Sequence, residues 1–148
     1  MSDSGSISLF TEEIEFTYPE ESKLKEWIFS VLKSEQFTLH YINIIFCSDD
    51  FLLHLNKEHL EHDYYTDILT FQYEHEPIEG ELFISVDRVR DNADRLEVAP
   101  EDELNRVVIH GVLHLMGYKD KSQKDVRLMR QKEDEYLLMF NEMHTKLS

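Results

Sequence analysis

Cysteine occurs once in these 148 residues, and proline three times. The lone thiol, Cys47, has no second cysteine to pair with, which excludes a disulfide framework and fits a reducing cytoplasm. Long apolar runs are missing as well. None approaches the roughly 20 residues that span a bilayer, so no membrane crossing is expected. The opening residues, Met1 to Ser6, have neither the basic start nor the apolar stretch of a secretory signal. Basic side chains are scarce, 15 Lys and Arg against 31 Asp and Glu, for a net charge of −16. That balance argues against broad, nonspecific wrapping of nucleic acid, which relies on cations meeting phosphates.

One stretch departs from the average. Between Asn105 and Lys132 the basic residues are Arg106, Lys119, Lys121, Lys124, Arg127, Arg130 and Lys132, against Asp120 and Asp125, a local charge of +5. This is either a solvated helix face or a place where an anionic substrate is welcomed by a protein that repels it elsewhere.

With 41% hydrophobic and 31% charged residues, the length suits one core, so residues 1–148 are expected to form a single domain. Strand-like and helix-like segments alternate without repeats, low-complexity tracts or long linkers, which favours an α+β or α/β architecture. Ile14, Phe16 and Tyr18 recur at period two and predict a first strand over Ile7 to Tyr18, stopped by Pro19. Leu24, Trp27, Ile28, Val31 and Leu32 form a helical stripe, with Ser22 available as its N-cap. Thr38 to Cys47 reads as a strand, followed by a helix capped by Asp49 or Asp50. Asp67 to Tyr73 and Glu81 to Val86 predict a hairpin whose turn contains Pro77 and Gly80. Helices are expected over Asp87 to Leu96, Pro100 to Met116 and Gln123 to Lys146.

The chemistry concentrates in His110-Gly111-Val112-Leu113-His114-Leu115-Met116-Gly117-Tyr118-Lys119-Asp120. Residues four apart on a helix lie one turn along the same face, so His110 and His114 can aim both imidazoles at one ion. Alone, such a pair is more often two surface or core histidines. Gly117 changes the reading, because glycine most easily takes the left-handed conformation that ends a helix and lets the chain turn back. Asp120 then becomes a third ligand. Three protein ligands leave the fourth position of a tetrahedral ion to water or substrate, the arrangement of catalytic zinc. Peptidases with His-Glu-x-x-His use the glutamate as general base, and here that position is Gly111.

The run His110 to Tyr118 resembles the signature of the YbeY family, bacterial metal-dependent endoribonucleases implicated in ribosomal RNA maturation and ribosome quality control. Leu55-Asn56, Thr66-Asp67-Ile68-Leu69-Thr70-Phe71 and Gly80-Glu81-Leu82-Phe83-Ile84-Ser85 resemble the family's Leu-Asn, Pro-Thr-Asp-Val-Leu-Ser-Phe and Gly-Asp-Ile-x-Ile-Ser blocks. Met129 and Glu133 fit its Met-x-x-x-Glu. The resemblance implies an α+β domain in which a small mixed sheet packs against helices, with a zincin-like metal-binding helix at its centre. It also implies single-stranded or ribosomal RNA as substrate and the ribosome as partner.

Two departures stand out. The family usually ends its motif in Tyr-Asp-His, the histidine being the third ligand, whereas Asp120 occupies that position here. A carboxylate oxygen is an ordinary zinc ligand, but it makes the ion a weaker Lewis acid and leaves the choice of divalent metal open. The family's Tyr-Arg pair is replaced by His59 and Leu60, which removes an arginine thought to assist RNA cleavage. Lys119 or Lys121, beside the ligand loop, could neutralise a phosphate oxygen in its place. No side chain is assigned as general base, and the catalytic group is the water on the metal. Glu133, on the stripe of Val126, Met129, Leu137 and Phe140, either orients a ligand histidine or bonds to backbone. Tyr64, Tyr65 and Tyr118 are candidates for stacking on RNA bases or for core packing.

Three functions follow from this reading. The first is a single-strand-specific, metal-dependent endoribonuclease. The second is a noncatalytic ribosome-associated maturation factor with a structural metal, suggested by the missing arginine and the acidity. The third, a zincin-type metallopeptidase, is disfavoured by Gly111.

Overall fold

The computed structural model describes residues 5–60 and 65–145, and of Leu60 and Thr145 the backbone only. In chain order they form β1 (Ser6–Glu12), α1 (Glu21–Ser34), β2 (Leu39–Cys47), α2 (Asp49–Leu60), β3 (Ile68–Glu74), β4 (Ile78–Ser85), α3 (Val86–Leu96), α4 (Pro100–Leu115) and α5 (Gln123–Thr145). The strands among these residues make one sheet in the order β1-β2-β4-β3. β1, β2 and β4 run parallel, and β3 pairs antiparallel with β4. The expected small mixed sheet of an α+β fold is therefore present.

Strand alternation decides which helices cover which face. Ile42, Ile44, Phe46, Leu82 and Ile84 enter the main core, where they meet Trp27 and Ile28 of α1 and Val108, Ile109 and Val112 of α4. Residues of opposite parity, Cys47, Leu69, Phe71 and Phe83, pack under Leu52 and Phe51 of α2. Each fully buried aliphatic or phenyl side chain contributes about 1.5–3 kcal/mol relative to exposure. Trp27 also donates its indole N–H to the Tyr136 carbonyl of α5 at 2.8 Å, so the apolar stripe of α1 carries a polar link to the last helix.

α4 determines where the chemistry sits. From Glu103 to Met116 it is buried on every side except at Arg106, His110 and His114, which are spaced four apart and therefore form one open stripe. Its opposite side meets the sheet at Gly111, where a Cβ would lie 2.7 Å from Ile68 Cδ1 and 2.9 Å from Leu82 Cδ2. Only hydrogen in that place lets the helix approach so closely.

Four expectations need correction. β1 stops at Glu12, because its partner β2 ends at the paired Cys47 and Glu13 turns to a φ of 56°. Ile14, Phe16 and Tyr18 instead pack from a loop against the core. The N-cap of α1 is Glu20 in a left-handed conformation, not Ser22, which falls inside the first turn. Ser48 caps α2 by accepting from Phe51 N–H at 3.1 Å, ahead of Asp49 and Asp50. Gly80 lies within β4 rather than in the hairpin turn, because β4 begins at Ile78 and Gly80 pairs with Ile42 and Gln72. No helix among the described residues is long and apolar enough to cross a membrane.

Candidate metal centre

α4 ends in two reverse hydrogen bonds, Gly117 N–H to the His114 carbonyl at 2.9 Å and Tyr118 N–H to the Leu113 carbonyl at 3.1 Å. This pairing closes a helix through a left-handed residue, and Gly117 takes it with a φ of 100°. The turn carries Asp120 back over the open stripe. His110 Nε2 and His114 Nε2 lie 3.0 Å apart, and Asp120 Oδ2 lies 3.2 Å from the latter and 3.4 Å from the former. The three residues are the group of candidate ligands found among the described residues.

Those separations can be tested against an ion. Bonds of about 2.0–2.1 Å in a tetrahedron place ligand atoms roughly 3.3 Å apart, close to all three distances. The outer ring nitrogens point the same way. His110 Nδ1–H donates to Glu133 Oε2 at 2.7 Å, and His114 Nδ1–H donates to the Tyr118 carbonyl at 2.9 Å. A carbonyl or carboxylate can only accept, so each neutral ring carries its proton on Nδ1 and turns an Nε2 lone pair inward. Two lone pairs and a carboxylate oxygen then face one point, a donor set that suits a divalent cation.

Glu133 is 4% exposed and is held on its other oxygen by Arg106, whose Nη1 lies 2.8 Å from Oε1 while Nη2 reaches Asp134 at 2.9 Å. Burial pushes the Glu133 carboxyl up, but the hydrogen bonds from His110 and Arg106 outweigh it and hold the group below its usual value. Burial likewise opposes the charged form of His110, and Glu133 outweighs it to raise the imidazole. Behind His114 stands the Tyr118 carbonyl instead of a carboxylate.

Clefts open on both sides of the cluster. One, of about 340 Å³, is lined by Glu103, Arg106, Val126 and Arg130 beside His110 and Asp120. The other runs along β3 past Thr66, Thr70 and Gln72. Asp67 and Ile68 belong to both.

Known proteins bear on this geometry. The family model described as Endoribonuclease YbeY matches residues 7–141. The Endoribonuclease YbeY of Flavobacterium psychrophilum is 49% identical over 133 residues, covering 89% of this chain and 95% of the relative. That of Cytophaga hutchinsonii is 45% identical over 130 residues, covering 86% and 91%. This chain belongs to the YbeY family. The solution structure of a Thermotoga maritima protein agrees with this YbeY fold at a TM-score of 0.68 and 30% identity, covering 90% of this chain and 88% of that one.

For a YbeY chain, the expected residues divide into those the fold assembles and those it does not. His110, His114 and Asp120 converge, and Glu133 stands directly behind His110. Lys119 and Lys121 are exposed and line neither cleft. Arg106 and Arg130 do line one; Arg106 is tied to Glu133 and Asp134, while Arg130 is 62% exposed and 3.6 Å from Glu133. The four-residue spacing of Arg106 ahead of His110 was the signal for it. Asp67, which marked only the start of a strand and a family block in the sequence, sits in both clefts, where burial raises its carboxyl. Tyr118 spends its hydroxyl on Glu35, and the Tyr65 ring lies 5.0 Å under Arg88. His62 and Tyr64 are outside the described residues, as is the side chain of Leu60.

Proposed function

We propose that this chain is a metal-dependent endoribonuclease that hydrolyses phosphodiester bonds in single-stranded ribosomal RNA, with zinc held by His110, His114 and Asp120. The observation that carries the reading is the inward-facing set of two Nε2 atoms and one carboxylate oxygen at the edge lengths of a tetrahedral site. A bound divalent ion supplies Lewis acidity at the scissile phosphate and acidifies water there. The chain's own groups do the rest. Glu133 and the Tyr118 carbonyl fix the imidazoles, Arg130, exposed and only loosely paired with Glu133, can reach a phosphate oxygen in the cleft, and Asp67 is the carboxyl on hand to move a proton. Ribosomal RNA as substrate implies the ribosome as partner and the cytoplasm as location.

Elemental analysis of wild type and Asp120→Ala, paired with cleavage of single-stranded RNA with and without chelator, tests the proposal. One equivalent of zinc lost in the variant, with chelator-sensitive cleavage by wild type, is the expected result. Bound zinc without cleavage would favour a noncatalytic ribosome-associated factor, the reading that Leu60 in place of the family arginine supports. Wild type without metal would overturn both.

A further inference from the structure

We infer that Glu35, at the end of α1, is a positioning residue for the metal centre, acting on His114 through Tyr118. The inference rests on the metal reading above. Its basis is a pair of hydrogen bonds joined through the covalent frame of Tyr118. Glu35 Oε1 accepts from the Tyr118 hydroxyl at 2.8 Å, and the Tyr118 carbonyl accepts from His114 Nδ1–H at 2.9 Å. Glu35 Oε2 accepts from the Tyr136 hydroxyl and from Lys132 Nζ at 3.2 Å, both on α5. The Glu35 side chain is 14% exposed, and its three donors hold it in one orientation.

The two ligand histidines are therefore steadied differently. His110 meets a buried carboxylate directly, whereas His114 meets a main-chain carbonyl in the loop that follows Gly117, where no helix holds it. A carbonyl can fix the ring only if its own residue is fixed, and the Tyr118 side chain is anchored on Glu35, 83 residues away in the chain. The same anchor limits the loop that delivers Asp120 two residues later. Groups that orient metal-binding histidines typically change metal affinity 10- to 100-fold when removed, and Glu35 has that effect at one remove.

A purely structural Glu35 would only staple α1 to α5 through Tyr136 and Lys132. Zinc affinity, measured by competition with a chromophoric chelator, separates the two roles when combined with thermal melts of the metal-free protein. Glu35→Ala and Tyr118→Phe should each weaken zinc binding by about 10-fold or more, and the double variant should be no weaker than the worse single. Glu35→Gln, which keeps an acceptor for Tyr118, should recover most of the affinity. Tyr136→Phe, which leaves Glu35 its Tyr118 and Lys132 donors, should lower the melting temperature and weaken zinc binding clearly less than Glu35→Ala does. If wild type binds zinc and Tyr118→Phe binds it equally well, or Tyr136→Phe loses as much affinity as Glu35→Ala, the inference is overturned alone. If wild type binds no zinc, it falls together with the metal reading. Tyr118→Phe leaves α1 and α5 joined, so a Glu35→Ala variant that fails to fold does not end the test.

Discussion

Glu133 serves two cations at once, His110 when protonated and Arg106 always, from a site closed to solvent. Removing its carboxylate leaves His110 Nδ1–H without its acceptor and Arg106 with Asp134 alone. Glu133→Ala should therefore destabilise the metal-free protein by about 1.5–3 kcal/mol, the range for hydrogen bonds to charged groups, and weaken zinc binding 10- to 100-fold. Urea unfolding and chelator competition measure the two effects separately. The pair also makes stability depend on pH. His110 is raised above 6.5, so its contribution is complete below that pH and fades as pH rises through the folded value. Glu133 is lowered below 4.5, so its contribution is complete above that pH and fades as pH falls through the folded value. Metal-free protein should draw most from this pair between pH 4.5 and 6.5, and Glu133→Gln should flatten both flanks in melts across that range. A variant profile parallel to wild type would show that the pair contributes nothing. At this scale the cluster of His110, His114 and Asp120 was legible because helical spacing and a glycine stop are local signals. The places of Asp67 and Glu35 were not, since Asp67 comes to the clefts and Glu35 to Tyr118 from segments far away in the chain.

Two glycines in and after α4 make opposite demands. Gly111 has an ordinary helical backbone and no room, whereas Gly117 has room, its nearest neighbour for a Cβ being His75 Cε1 at 3.7 Å, and a φ of 100°. Gly111→Ala should destabilise by overpacking, about 1–3 kcal/mol, with Ile68 and Leu82 pushed aside. Gly117→Ala should bring about 1–3 kcal/mol of backbone strain. It should also reduce zinc affinity by more than Gly111→Ala, because the turn it strains carries Tyr118 and Asp120. Denaturant melts with zinc titrations on both variants check the contrast, and equal zinc affinities would refute it. Helix α4 could be read from spacing almost to its last residue. The first strand could not, because period two in Ile14, Phe16 and Tyr18 reports side chains leaning on a core, which a loop can do as well as a ladder once the partner strand has ended.

Over the whole molecule, the charge of −16 sets how RNA can be held. Of the seven cations in the basic segment, Lys132 is committed to Glu35 and Arg106 to Glu133 and Asp134, which leaves at most five for phosphates. Each phosphate contact on single strands contributes about −0.7 to the slope of log affinity against log salt, so the slope from this segment should be no steeper than about −3.5. Arg130→Ala should reduce it by about 0.7 when binding is measured by fluorescence anisotropy over a salt series. Metal is the larger lever on stability. Zinc at 100 times its Kd should add about 2.7 kcal/mol to unfolding, an increment that chelator removes and that Asp120→Ala lacks. The contact between Gly111 and the sheet reaches beyond stability. Two of the four glycine codons lie a single base from a glutamate codon, yet in this fold a glutamate side chain at position 111 would be driven between Ile68 and Leu82 instead of towards a substrate, so packing, more than the genetic code, separates this motif from that of a protease.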